Sequence, residues 1–155
     1  MRADARAAGD GPARPAVLIT GASQGLGLAL AEGCARRGRD LALAALPGSG
    51  LPEAAARLAK ARGVRVEFLE LDLTAAGSAE RLQAWLRSRR LPVDTLINNA
   101  GVSHHGAFRE APPDRLQTMV DLNIGALVRL TRLLLPELEP PLTVVALPLE
   151  TFTND

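Results

Sequence analysis

The sequence predicts an α/β protein built on a doubly wound parallel sheet with the strand order 3-2-1-4-5. Two observations lead there. Apolar runs of strand length alternate along the chain with stretches of helical period, and that alternation builds βαβ units. The first run, Ala16-Val17-Leu18-Ile19, also passes through a glycine-rich turn directly into a helical stretch, the join that opens a doubly wound sheet. Right-handed crossovers then set the strand order.

In chain order, residues 1–15 are rich in Ala, Arg, Gly, Asp and Pro without apolar periodicity, and are expected to be a disordered tail. Residues 16–20 form a continuously apolar first strand, as a central parallel strand requires. A helix follows over about 24–37, closed by Gly38. Residues 40–45 are the second strand, 47–50 a loop, and about 52–62 a helix closed by Gly63. Residues 64–69 alternate in polarity and read as the third strand. Asp72-Leu73-Thr74 is a turn, and Ser78 is placed as the cap of a helix running to about Arg90. Pro92 breaks the chain before a fourth strand at 93–97 that ends on Asn98. A loop over 101–113 leads to a long helix at about 114–135. There Leu116, Val120, Ile124, Leu127, Leu130 and Leu134 recur at spacings of three and four, which predicts one apolar face. Pro136, Pro140 and Pro141 end it, and residues 142–147 are the fifth strand, an edge in this order.

Composition narrows the function classes. The chain has 155 residues, 47% of them hydrophobic and 23% charged, with a net charge of +1. That is an ordinary single globular domain, with no field that argues for nucleic acid or a membrane surface as a partner. The basic residues are nearly all arginine, with Lys60 the one lysine, a bias read as coding composition. Cys34 stands alone, so no intrachain disulfide or zinc cluster of cysteines is available, as suits a reducing cytoplasm. Its place in the first helix suggests a small buried hydrophobe. No run reaches the roughly 18 apolar residues of a spanning helix, and no signal-type segment opens the chain.

The chemistry is carried by Thr20-Gly21-Ala22-Ser23-Gln24-Gly25-Leu26-Gly27 and by Asn98-Asn99-Ala100-Gly101. Glycines allow a tight turn and a close backbone approach to an anion, and the helix that follows presents free N–H donors. In the predicted order the first and fourth strands are neighbours at the point where the chain reverses, so both motifs converge on one crevice at their C-terminal ends. Their spacing, G-x-x-x-G-x-G followed by N-N-A-G, resembles the short-chain dehydrogenase/reductase family. That is a group of NAD(P)-dependent oxidoreductases on a Rossmann-type fold, and the likeness runs from about Val17 to about Leu135.

The resemblance implies a nicotinamide dinucleotide over the turn formed by Gly21, Ser23, Gln24, Gly25, Leu26 and Gly27. It implies that Asp72 takes the adenine amino group with Leu73 beside the ring, while Asn99, Ala100 and Gly101 line the adenosine. Ile19 and Leu26 read as packing more than contact, although Leu26 stays among the candidates. Asp72 has a bland alternative, a loop carboxylate capping the next helix. For Asn98 and Asn99 the alternative is a pair of amides tying the fourth strand to its neighbours. After the second strand, Ala44-Ala45-Leu46-Pro47 holds neither the carboxylate that would favour NAD nor an arginine for NADP. The missing carboxylate gives a slight lean to NADP.

Asn123 falls where the family places an active-site asparagine, whose local helix distortion holds a water on a proton-relay line. His104 and His105 read as solvated loop residues, and no metal site is expected. One departure stands out. The family's proton donor is a tyrosine with a lysine four residues on and a serine beside it, yet this chain has no tyrosine. The serine's place falls near Pro148, Leu149 and Glu150, with Thr151 the nearest hydroxyl. The resemblance therefore implies a C-terminally truncated portion, 16–155, incomplete on that side of its sheet. It would carry the cofactor-binding half of an oxidoreductase with a small-molecule substrate, and would self-associate through the 114–135 helix. A non-catalytic dinucleotide-binding module and a nonfunctional fragment stay open beside it.

Overall fold

The computed structural model describes residues 14–140 and 143–146. Its strands form one sheet in the order β3-β2-β1-β4-β5 with every pairing parallel, as predicted. They are β1 (Ala16–Thr20), β2 (Asp40–Ala45), β3 (Val66–Glu70), β4 (Val93–Asn98) and β5 (Thr143–Ala146). β1 lies at the centre and is buried at every residue. Val17 and Ile19 enter one core with Leu41 and Leu43, while Ala16 and Leu18 enter the other with Leu82 and Leu96. Two buried faces are why this strand is continuously apolar and not alternating.

Helices α1 (Gly25–Arg36) and α2 (Leu51–Arg62) cover the first face through Ala31, Ala35, Leu51 and Leu58. The other face is covered by α3 (Ser78–Ser88) and α5 (Leu127–Leu134) through Leu82, Leu86, Leu130 and Leu134. Cys34 is half-buried on the first face, where burial raises its thiol pKa against the pull of Arg39 and Arg37. The sequence expected it buried, and the structure leaves it partly exposed against that core. Among the described residues no helix is long and apolar enough to cross a membrane.

Three sequence expectations change. β3 begins at Val66, because the Arg65 N–H leaves the strand pattern to donate to Asp40 Oδ1 at 3.0 Å. Ser78 does not cap α3. Gly77 holds that position, and the buried Ser78 hydroxyl instead donates back to the Leu73 carbonyl at 2.9 Å. The long helix is also not continuous. An α-helix, α4 (Pro113–Val120), passes into a six-residue π-helical turn, Asp121–Ala126, before α5 begins, and Leu135–Glu137 closes it as a 3₁₀ turn containing Pro136.

Widening the turn rotates everything after it, so the predicted apolar face splits. Leu130 and Leu134 are buried, whereas Val120 and Ile124 are 50% and 60% exposed. The tail expected over 1–15 lies outside the described residues up to position 13, and the Pro15 carbonyl accepts a bond from Arg39 at 3.3 Å. Residues 142 and 147 at the ends of the predicted fifth strand lie outside them too, as do 148–155.

Candidate functional site

β1 and β4 end side by side, and the two motifs meet there through Thr20. The Thr20 side chain is 1% exposed, and its Oγ1 accepts from the Asn99 N–H at 3.1 Å and the Ala100 N–H at 3.0 Å. The same hydroxyl donates to the Ile97 carbonyl at 3.5 Å, so one threonine uses its donor and both lone pairs to fix the end of β4. Asn99 answers by donating from Nδ2 to the carbonyls of Thr20 (3.0 Å) and Gly21 (3.2 Å). Its amide thus plays the tying role foreseen for it. Asn98 is 4% exposed and donates to Thr131 Oγ1 at 3.1 Å, while its buried Oδ1 has no partner among the described residues.

The glycines of the turn divide into two kinds. A Cβ on Gly21 would lie 2.8 Å from Ala100 Cα, and one on Gly27 would lie 2.2 Å from the Gly21 carbonyl oxygen. Gly21 leaves room for Asn99 and Ala100 just past β4, and Gly27 leaves room for the Gly21 carbonyl and the Asn99 amide. Gly25 has φ +55° with nothing within 4 Å of a Cβ, so it needs glycine only for its backbone conformation. It opens α1, no side chain caps that helix, and its first turn holds no acidic residue. The leading amides of α1 are therefore left for solvent or an anion.

A crevice of about 440 Å³ opens beside this turn. Of the residues singled out by sequence, Gly21, Ser23, Gln24, Leu26, Gly27, Asp72, Leu73, Asn99, Ala100 and Gly101 line it, while Gly25 and Asn123 do not. The packing role expected of Ile19 holds, since it is fully buried, but Leu26 is 55% exposed and faces the crevice. Asp72 Oδ1 accepts from the Thr74 N–H at 2.9 Å and from its hydroxyl at 2.7 Å, so it braces its own turn and does not cap α3. Asn123 sits in the π-helical turn, where Oδ1 accepts from the Val102 N–H (3.0 Å) and Nδ2 donates to its carbonyl (2.8 Å). That paired bond holds the distorted turn against the loop following Gly101. His104 is half-buried, His105 is exposed, and no cluster of metal ligands exists among the described residues.

Sequence reasoning missed Ser49, Thr118 and Leu122 on the crevice wall, and it missed Glu70, which does not line the crevice but braces the loop between its wall residues Leu46 and Ser49. The last residue of β3 pairs with Ala45 at the end of β2, and its Oε1 accepts from the Gly48 N–H at 2.9 Å. The strand register was the only signal for it. A second hollow, of about 350 Å³, lies among Leu86, Leu91, Leu134 and Leu138, and none of the sequence candidates lines it.

Comparison with known proteins agrees with this geometry. The model of the short chain dehydrogenase family matches residues 15–141. A D-beta-hydroxybutyrate dehydrogenase of Cupriavidus necator is 33% identical over 121 residues, covering 77% of this chain and 46% of that protein. An alcohol dehydrogenase from the archaeon Thermococcus sibiricus, complexed with 5-hydroxy-NADP, superposes with a TM-score of 0.75 at 31% identity, over 80% of this chain and 53% of that one. A short-chain dehydrogenase from Sphingobium yanoikuyae in complex with NADPH gives a TM-score of 0.71 at 41% identity, over 79% and 48%. The chain spans about half the length of the curated relatives it matches.

Proposed function

The chain belongs to the short-chain dehydrogenase family, and from that premise we propose that its crevice binds a nicotinamide dinucleotide. In this reading the chain is the cofactor-binding portion of an oxidoreductase that moves a hydride between the nicotinamide and an alcohol or carbonyl. The uncapped start of α1, beside the open Gly25, carries the reading, because it offers free amides and a partial positive charge to the pyrophosphate. Asp72 and Leu73 face the adenine, with Asn99, Ala100 and Gly101 along the adenosine. When bound, the nicotinamide supplies the hydride acceptor or donor. Asn123 holds the distorted turn of the helix at the reacting end. Self-association and a reducing cytoplasm belong to the same reading. Bound NADP in the neighbours and the missing carboxylate after β2 speak for NADP, whereas Glu70 speaks against it.

Calorimetric titration of the chain with NADH and NADPH tests the site. Gly25→Asp places a carboxylate where the pyrophosphate would sit and is expected to weaken binding at least about tenfold. Unfolding should shift by only about 1–2 kcal/mol, the usual strain of a side chain in the left-handed region. Equal affinity in wild type and variant would refute the placement.

Val120, Ile124 and Val128 recur every four residues and are 50%, 60% and 57% exposed, an apolar stripe along α4, the π-helical turn and α5. The family resemblance implies self-association through this helix, and we place a second copy of the chain on the stripe. Sedimentation at tens of micromolar is expected to show a dimer or larger species. Ile124→Glu should shift it toward monomer without affecting dinucleotide binding, and a monomeric wild type would remove the proposal.

A further inference from the structure

We infer that Glu70 selects the dinucleotide, favouring a free ribose 2′-hydroxyl over a 2′-phosphate. The inference rests on the crevice being a dinucleotide site. In such folds the 2′ group meets the loop after the second strand, here Leu46-Pro47-Gly48-Ser49. A 2′-phosphate would need backbone donors or a cation there, and the loop offers few. Pro47 has no N–H, the Gly48 N–H is held by Glu70 Oε1 at 2.9 Å, and the Ser49 N–H donates to the Leu46 carbonyl at 3.3 Å. No lysine or arginine occurs from Ala45 to Leu51.

Charge acts in the same direction. A 2′-phosphate brings between one and two negative charges toward the Glu70 carboxylate, with Glu53 adding a second carboxylate beside Gly50. A ribose hydroxyl brings none, and it finds a partner. Ser49 lines the crevice, and its buried Oγ has no bond among the described residues, so by turning about χ1 toward the crevice it gains a partner in that hydroxyl. The slight lean to NADP drawn from the sequence assumed that no carboxylate reached this loop. One does, from β3 and not from β2.

The test uses the whole chain at low ionic strength, titrated with NADH and with NADPH. Wild type is expected to bind NADH about tenfold more tightly, the size of a few unscreened like-charge contacts at a surface. Glu70→Gln keeps an oxygen for the Gly48 N–H while removing the charge. It should raise NADPH affinity until the two cofactors differ by about threefold or less, and Glu70→Arg should invert the preference. A wild type that prefers NADPH, or a ratio unmoved by Glu70→Gln, overturns the role of Glu70 while leaving the dinucleotide site standing. Binding of neither cofactor removes the site itself, and this inference with it.

Discussion

Gly27→Ala is expected to destabilise the chain by about 3 kcal/mol or more, and to abolish dinucleotide binding as a consequence. Its Cβ would stand 2.2 Å from the Gly21 carbonyl oxygen, 2.5 Å from Asn99 Nδ2 and 2.9 Å from the Gly21 carbonyl carbon. Two of those atoms are backbone. The third is held by two carbonyls, of Thr20 and Gly21, so none can swing aside. Relief has to come from α1 backing away from the Gly21 carbonyl and the Asn99 amide, which breaks the Asn99 bonds and opens the turn. Overpacking alone costs about 1–3 kcal/mol, and leaving a buried amide unpaired adds about 1–3 kcal/mol. Against a typical total of about 5–15 kcal/mol, that takes a large share of the stability. Denaturant unfolding of Gly27→Ala and Gly25→Ala side by side measures it. Gly25→Ala has open space around its Cβ and should lose only about 1–2 kcal/mol from its left-handed backbone. If Gly27→Ala lay within about 1 kcal/mol of wild type, α1 would not sit against the Gly21 carbonyl and the Asn99 amide as described.

The second large effect concerns chemistry. A polypeptide of these 155 residues is expected to bind dinucleotide yet to reduce no ketone and oxidise no alcohol at a rate comparable with the longer relatives it matches. Hydride transfer to a carbonyl needs a proton donor at the oxygen, and the chain holds no tyrosine. Lys60, its one lysine, lies in the last turn of α2, a helix whose first turn is the end nearest the crevice. Losing general acid help lowers the rate by about 10²- to 10⁴-fold. Cofactor oxidation followed in the presence of a panel of ketones, with binding confirmed on the same sample, makes the measurement. Turnover matching those relatives would mean that another group supplies the proton, and the half-buried His104 would be the first residue to replace.

Several levels of this molecule are legible in the residues alone. The continuous apolar run at Ala16–Thr20 requires a strand covered on both faces. The alternation with helices then gives the order β3-β2-β1-β4-β5 through crossover handedness. Because that order places the ends of β1 and β4 together, the convergence of the two motifs is readable from the residues alone. These are consequences of local period and chain connectivity, which a linear sequence carries in full.

What only the tertiary structure decided depends on contacts between residues far apart in the chain. The glycine spacing did not tell which positions are empty for packing and which stay open. Gly21 is of the first kind because Asn99 and Ala100, just past β4, arrive against it; Gly27 is so because the Gly21 carbonyl and the Asn99 amide meet there, and Gly25 is of the second. The apolar period through 114–135 suggested one face, but the π-helical turn, bonded to Val102 through Asn123, rotates the helix and leaves Val120 and Ile124 outside. Between Ala45 and Leu51 the sequence holds no acid, yet parallel pairing of β2 with β3 carries Glu70 to Gly48. Periodicity reports which side of an element is apolar. It does not report which neighbour a side chain meets, since that is set by strand register and helix rotation once the layers have closed.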